Sequence, residues 1–126
     1  MYKRQVRKIV VAGGRDFDDY GGMKRVLDRI KWDPGDEIVS GTAKGADTLG
    51  ERYAEERGLK VTKFPADWSL GKKAGFIRNE VMAKYCTGGV VFWDGESHGS
   101  KNMIFLLNKY KKTCRVVNYT KIKGVM

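Results

Sequence analysis

The chain has 126 residues, 41% of them hydrophobic, and a formal net charge of +10. That is enough apolar material for one packed core and too much for a disordered chain. No apolar run approaches a membrane span, and the charged N-terminus is not followed by a signal-peptide core, so we expect a single domain over 1–126, cytoplasmic and not in a membrane.

Cys86, Cys114 and the single histidine, His98, have no metal-ligand spacing. They read as reduced thiols and a lone imidazole, with neither a metal nor a cofactor expected. The charge is uneven. Residues 1–8 hold four basic residues and no acid, and residues 109–126 hold six and no acid, which accounts for the whole excess. Such ends suit nucleic acid or an acidic partner, and equally suit solubility and the C-terminal end of a last helix.

Taken in order, Val6–Ala12 is an apolar, β-branched run that reads as a buried first strand ending at Gly13-Gly14. Asp18 or Asp19 can cap a helix with apolar positions Tyr20, Met23, Val26, Leu27 and Ile30. Asp33–Asp36 is a turn and Glu37–Ser40 a short second strand. Ala46, Leu49, Tyr53 and Ala54 define a second helix that Gly58 ends. Leu59–Phe64 reads as a third strand, Asp67–Lys73 as polar loop, and Gly75 to Tyr85 as a third helix. Gly88–Trp93 is a fourth strand, Asp94–Gly99 a loop, Ser100 to Lys112 a fourth helix, and Cys114–Tyr119 a fifth strand. This βαβαβαβαβ order predicts a Rossmann-like α/β/α architecture with a five-stranded, mostly parallel sheet, because each parallel connection needs a right-handed crossover.

In such a sheet, ligands bind beyond the carboxyl ends of the strands. The glycines and polar residues fall there: Gly13, Gly14, Arg15 and Asp16 after the first strand, and Ser40, Gly41, Gly45, Ala46 and Asp47 after the second. Asp67, Trp68, Lys72, Gly75, Arg78 and Asn79 follow the third, and Trp93, Asp94, Gly99 and Ser100 the fourth. Each loop leads into a helix start, so four positive helix ends are expected to converge on one crevice and favour an anion.

Arg15 is suited to phosphate, with a salt bridge to Asp16 or Asp19 as its competitor. Asp47 would repel phosphate directly, and reads as a partner of a ribose hydroxyl, of water, or of capping backbone N–H groups. Trp68 and Trp93 offer faces for a base or for packing. The Ser40–Asp47 loop lacks the Gly-Lys-Ser/Thr ending of a triphosphate-binding loop, and the first strand is not followed by GxGxxG.

With these residues assembled, the chain resembles the YspA/YpsA-related branch of the SLOG superfamily, which also holds the DNA-processing protein DprA and the LOG cytokinin-activating enzymes. The matching blocks are GGRDF at 13–17, SGTAKGADTLGERYA at 40–54, FPADW at 64–68, KKAGFIRNEVM at 72–82 and VVFWDGESHGS at 90–100. The resemblance implies a fold that binds nucleotides or nucleotide-derived ligands, and a tendency to form homo-oligomers. In the LOG enzymes a glutamate after the fourth strand serves glycosidic cleavage, and its position here holds Met103. The LOG arginine-lysine pair looks like Arg78-Asn79.

Three readings stay open: a binding module for a nucleotide-like small molecule, a nucleotide N-glycosidase or phosphoribohydrolase, and a single-stranded nucleic-acid binder using the basic termini. An enzyme would need another acid or base, from among Asp16, Asp47, Glu80, Asp94 and Glu96.

Overall fold

The computed structural model describes residues 5–120. The elements run β1 (Lys8–Gly13), α1 (Tyr20–Leu27), β2 (Glu37–Ser40), α2 (Ala46–Arg57), β3 (Lys60–Lys63), a kinked 3-10 stretch (Trp68–Lys73), α3 (Ala74–Tyr85), β4 (Gly88–Trp93), α4 (His98–Lys109) and β5 (Thr113–Asn118). The five strands form one sheet in the order β3-β2-β1-β4-β5, and every pairing is parallel.

The first three strands step outward from β1 in one direction, and the chain then returns to β1 and adds β4 and β5 on its other side. The reversal puts the switch point between β1 and β4, where the connections leave in opposite directions and open a crevice. Side chains alternate across the sheet as strand geometry requires. Val11, Ile38, Val90 and Phe92 pack with Met23, Leu27, Tyr53 and Ala54 of α1 and α2. Val10, Val39 and Val91 pack with Met82, Ala83, Met103 and Leu107 of α3 and α4. Each fully buried Val, Ile or Leu contributes roughly 1.5–3 kcal/mol, so both helical layers are held by the same β-branched strands.

Three predicted elements are adjusted. α1 stops at Leu27, because the Asp28 N–H closes the last turn on Lys24 O, and Ile30 packs on the core from the turn that follows. The polar 67–73 segment is not plain loop: Asp67 accepts from Ser69 N at 3.1 Å and starts the 3-10 stretch. α4 begins at His98 rather than Ser100, since Ser97 supplies the cap. No helix among the described residues is long and apolar enough to cross a membrane.

Lys3, Arg4, Lys121 and Lys123 of the basic termini lie outside the described residues. The described part of that excess is largely engaged at the amino end of the sheet. Lys112 Nζ donates to Cys86 O and to Lys84 O at the C-terminal end of α3, and Lys8 Nζ lies 4.4 Å from the centre of the Tyr85 ring.

Candidate functional site

A cleft of about 750 Å³ opens at the carboxyl ends of β1 and β4. Its floor is the first loop, with Gly13, Gly14, Arg15 and Asp16. Asp47 comes from the start of α2, Gly75, Arg78 and Asn79 from α3, and Gly99 and Ser100 from α4. Trp68, Lys72 and Asp94 complete the predicted residues found there.

Six predicted residues do not line the cleft, and each has another use. Ser40 is fully buried; its Oγ donates to Glu51 at 2.5 Å and accepts from Thr42 N at 3.0 Å. Gly41 lies beneath Arg78 and Asp47, and Asp67 caps the 3-10 stretch. Gly45 adopts φ +80°, and a Cβ there would fall 2.2 Å from Gly14 O. Ala46 is buried in the core and its N–H donates to Gly14 O at 3.2 Å. Trp93 donates from Nε1 to Ser97 O at 3.0 Å and packs against the α3/α4 core, which removes it as a stacking face.

Three helix beginnings, not four, meet at this cleft. The start of α1 is diverted because Phe17 is buried against Phe92 at 4.7 Å between ring centres, which draws the chain towards the α1/α2 layer. Asp19 then closes α1 by accepting from Gly22 N at 2.9 Å. By contrast, neither α2 nor α3 has a side-chain cap on its first turn. Ser97 caps α4 only loosely, accepting from Ser100 N at 3.4 Å.

The loop between β2 and α2 is held from several directions. Asp47 Oδ2 accepts from Ala43 N at 3.2 Å, and Thr48 Oγ1 donates to Ala43 O at 2.8 Å. Arg78 Nη1 donates to Gly41 O, and Arg78 Nε to Asn79 Oδ1 at 3.0 Å. These bonds keep Thr42 at φ +66°, a conformation a β-branched residue resists. Asn79 in turn donates to Asn102 Oδ1 at 3.0 Å, tying α3 to α4.

Two electrostatic features stand out. Burial pushes the Asp47 carboxyl up from 3.8 to about 6, despite the Ala43 N–H and the Arg78 guanidinium, which act the other way. Burial also loosens the proton on Arg78, which Asp47 strengthens and nearby Arg15 weakens further. Arg15 and Arg78 therefore feel each other across the cleft. At its wall Ser100 is 4% exposed, and its Oγ is the one buried side-chain polar atom without a hydrogen-bond partner among the described residues. A buried hydroxyl at a helix start, lining the same cleft as two guanidinium groups, is ready to donate to an anion.

The lining residues missed by sequence reasoning are mostly apolar: Ala12, Phe76, Met82 and Met103, along with Ala43 and Ser97, while Glu96 was named only as a candidate acid or base. Ala12, Met82 and Met103 carry only the signal of core positions. Phe76 broke the polar face of its helix and is 48% exposed, which was the available hint.

A parallel sheet with its cleft at the strand-order reversal defines a Rossmann-like α/β architecture. The family model described as "YspA, cpYpsA-related SLOG family" matches residues 7–71, and the chain belongs to that family. No curated protein matches the chain. Among solved structures it is similar to DNA processing protein A (DprA) from Streptococcus pneumoniae, with a TM-score of 0.74 and 18% identity. The match covers 94% of this chain and 53% of that one, so this chain spans about half its length. At that identity the likeness is one of fold.

Proposed function

We propose that the protein binds a nucleotide or nucleotide-derived small molecule in the cleft between β1 and β4, as a sensor or processing module. The observation that carries this reading is the unpartnered, buried Ser100 hydroxyl at the start of α4, facing a cleft lined by Arg15 and Arg78. A phosphate group would accept from that hydroxyl and from the N–H groups of the helix starts, while either guanidinium supplies charge. Trp68 and Phe76, 58% and 48% exposed at the same cleft, supply faces on which a base can stack.

The glycosidic reading is weaker. Met103 lines the cleft where the LOG enzymes carry their glutamate. Glu80 does not replace it, because it accepts from Tyr110 OH and pairs with Lys84 away from the cleft. Among the described residues, Lys112 and Lys8 of the basic ends are already engaged at the amino end of the sheet, so the nucleic-acid reading cannot rest on these two.

Calorimetry and thermal-shift measurements against nucleoside mono- and diphosphates, cyclic nucleotides and ADP-ribose-type compounds test the proposal. Saturable binding to at least one is expected. Silence across that panel, together with salt-steep binding of single-stranded DNA, would replace it with the nucleic-acid reading.

A further inference from the structure

We infer that Asp47 makes the cleft select a phosphate group carrying a single charge, a phosphodiester or a bridging phosphate, over a terminal phosphomonoester with two. The inference rests on the nucleotide reading above and narrows its ligand class.

The first ground is geometric. A Cβ placed on Gly41 would lie 2.8 Å from Arg78 Nη1 and 2.8 Å from Asp47 Oδ2, so the two side chains lie within twice that distance of each other. Asp47 thus offsets much of the charge Arg78 brings to the site. The second ground is the composition of the walls. Arg15, Lys72 and Arg78 are opposed by Asp16, Asp47, Asp94 and Glu96. Two of these acids are partly satisfied already: Asp16 accepts from Tyr119 OH at 2.7 Å, and Asp94 from Glu96 N and Ser97 N at 2.8 and 2.9 Å. Asp47 differs in being 6% exposed, so water screens it least.

An anion entering beside Arg78 therefore meets helix-start N–H groups and the Ser100 hydroxyl, with Arg15 and the exposed Lys72 set against the three remaining acids of the walls. That set balances about one charge. A second charge falls on a site whose nearest fixed counter-charge is spent on Asp47. The groups facing Asp47 are the Gly41 and Ala43 backbone, Glu51 of its own helix, and Arg78 of α3. The first loop adds Arg15 and Asp16, which line the same cleft. Since burial already holds the Asp47 proton up to about 6, lowering the pH removes the selecting charge within an accessible range.

The test compares adenosine 5′-monophosphate with its 5′-methyl phosphodiester, which differ by one charge and one methyl group. At pH 8 the monoester carries two charges, its second ionisation lying at about 6. Calorimetry on the wild-type chain at pH 8 should show the diester binding about tenfold tighter or more; at pH 5.5 the monoester has itself taken up a proton and the gap closes whatever Asp47 does, so the comparison at pH 8 carries the test. Asp47→Asn should close it at pH 8. Equal or tighter binding of the monoester to the wild type at pH 8 overturns the inference, as does an unchanged ratio in Asp47→Asn. Binding of neither compound, nor of any other nucleotide in the panel, removes the nucleotide reading itself.

Discussion

At the amino end of the sheet Asp36 and Glu37 are 2% and 4% exposed, as buried as Asp47 is at the carboxyl end, yet their surroundings differ. Asp36 accepts from Arg7 N at 2.8 Å and Asp33 N at 2.9 Å, and pairs with Arg7 Nη1 at 3.3 Å. Glu37 accepts from Tyr85 OH at 2.5 Å and Thr62 Oγ1 at 2.6 Å. Those carboxylates are closed off by protein donors. At the cleft, Asp47 has a displaced proton affinity and Ser100 Oγ has no partner among the described residues. Burial that the chain itself completes holds the fold together; burial left incomplete leaves places for the groups of a ligand.

Mutations at the two ends should separate these roles. The largest loss is expected for Asp36→Ala, which orphans two backbone N–H groups and removes the ion-pair partner of Arg7, at about 2–4 kcal/mol. Its urea midpoint should fall while nucleotide-induced stabilisation persists; a loss confined to binding would erase the distinction. Next comes Asp47→Asn, with the opposite sign. A carboxyl whose pKa is raised from 3.8 to about 6 on folding costs stability as pH climbs through that interval, and the cost is full above it. The variant should be more stable than wild type at pH 8 by about 1–3 kcal/mol, with the difference vanishing below pH 4. Thermal melts at the two pH values decide it, and a variant less stable at pH 8 would show that the carboxylate is a structural cap.

Ser100→Ala should stabilise the ligand-free chain by about 1 kcal/mol, because it deletes an unsatisfied buried hydroxyl, and should at least halve the rise in Tm on adding nucleotide. A destabilised variant with normal binding would sink the assignment. The smallest change in stability, within about 0.5 kcal/mol, is expected for Arg15→Ala, whose guanidinium is exposed. Its affinity for a nucleotide should still drop about tenfold, measured by calorimetry. Unchanged affinity would place the anion elsewhere.

The strand runs were legible because β-branched residues buried on both faces leave an unbroken apolar signature, and every strand was placed within two residues of its observed ends. The 3-10 stretch was not, since Trp68–Lys73 has no periodicity to read and depends on the Asp67 side chain. The glycine-rich loops pointed to the cleft that their residues line. What they did not announce was which of their residues face outward: Ser40 and Ala46 turn into the core, and Phe17 pulls the start of α1 away. Equally hidden were the carboxylates Asp36 and Glu37, which look like ordinary turn and strand residues until Arg7 and Tyr85 are brought to them from 29 and 48 positions away.

The interlock of Gly45 with Gly14 limits how this protein can change. With the Gly14 carbonyl filling the space of a side chain at 45 and accepting from Ala46 N, the first two loops behave as one part. Substituting either glycine would disturb both loops together. New ligand preferences selected in the laboratory should therefore accumulate in the Asp94–Ser97 turn and along Trp68–Lys73, while positions 13–15 and 45–46 stay as they are.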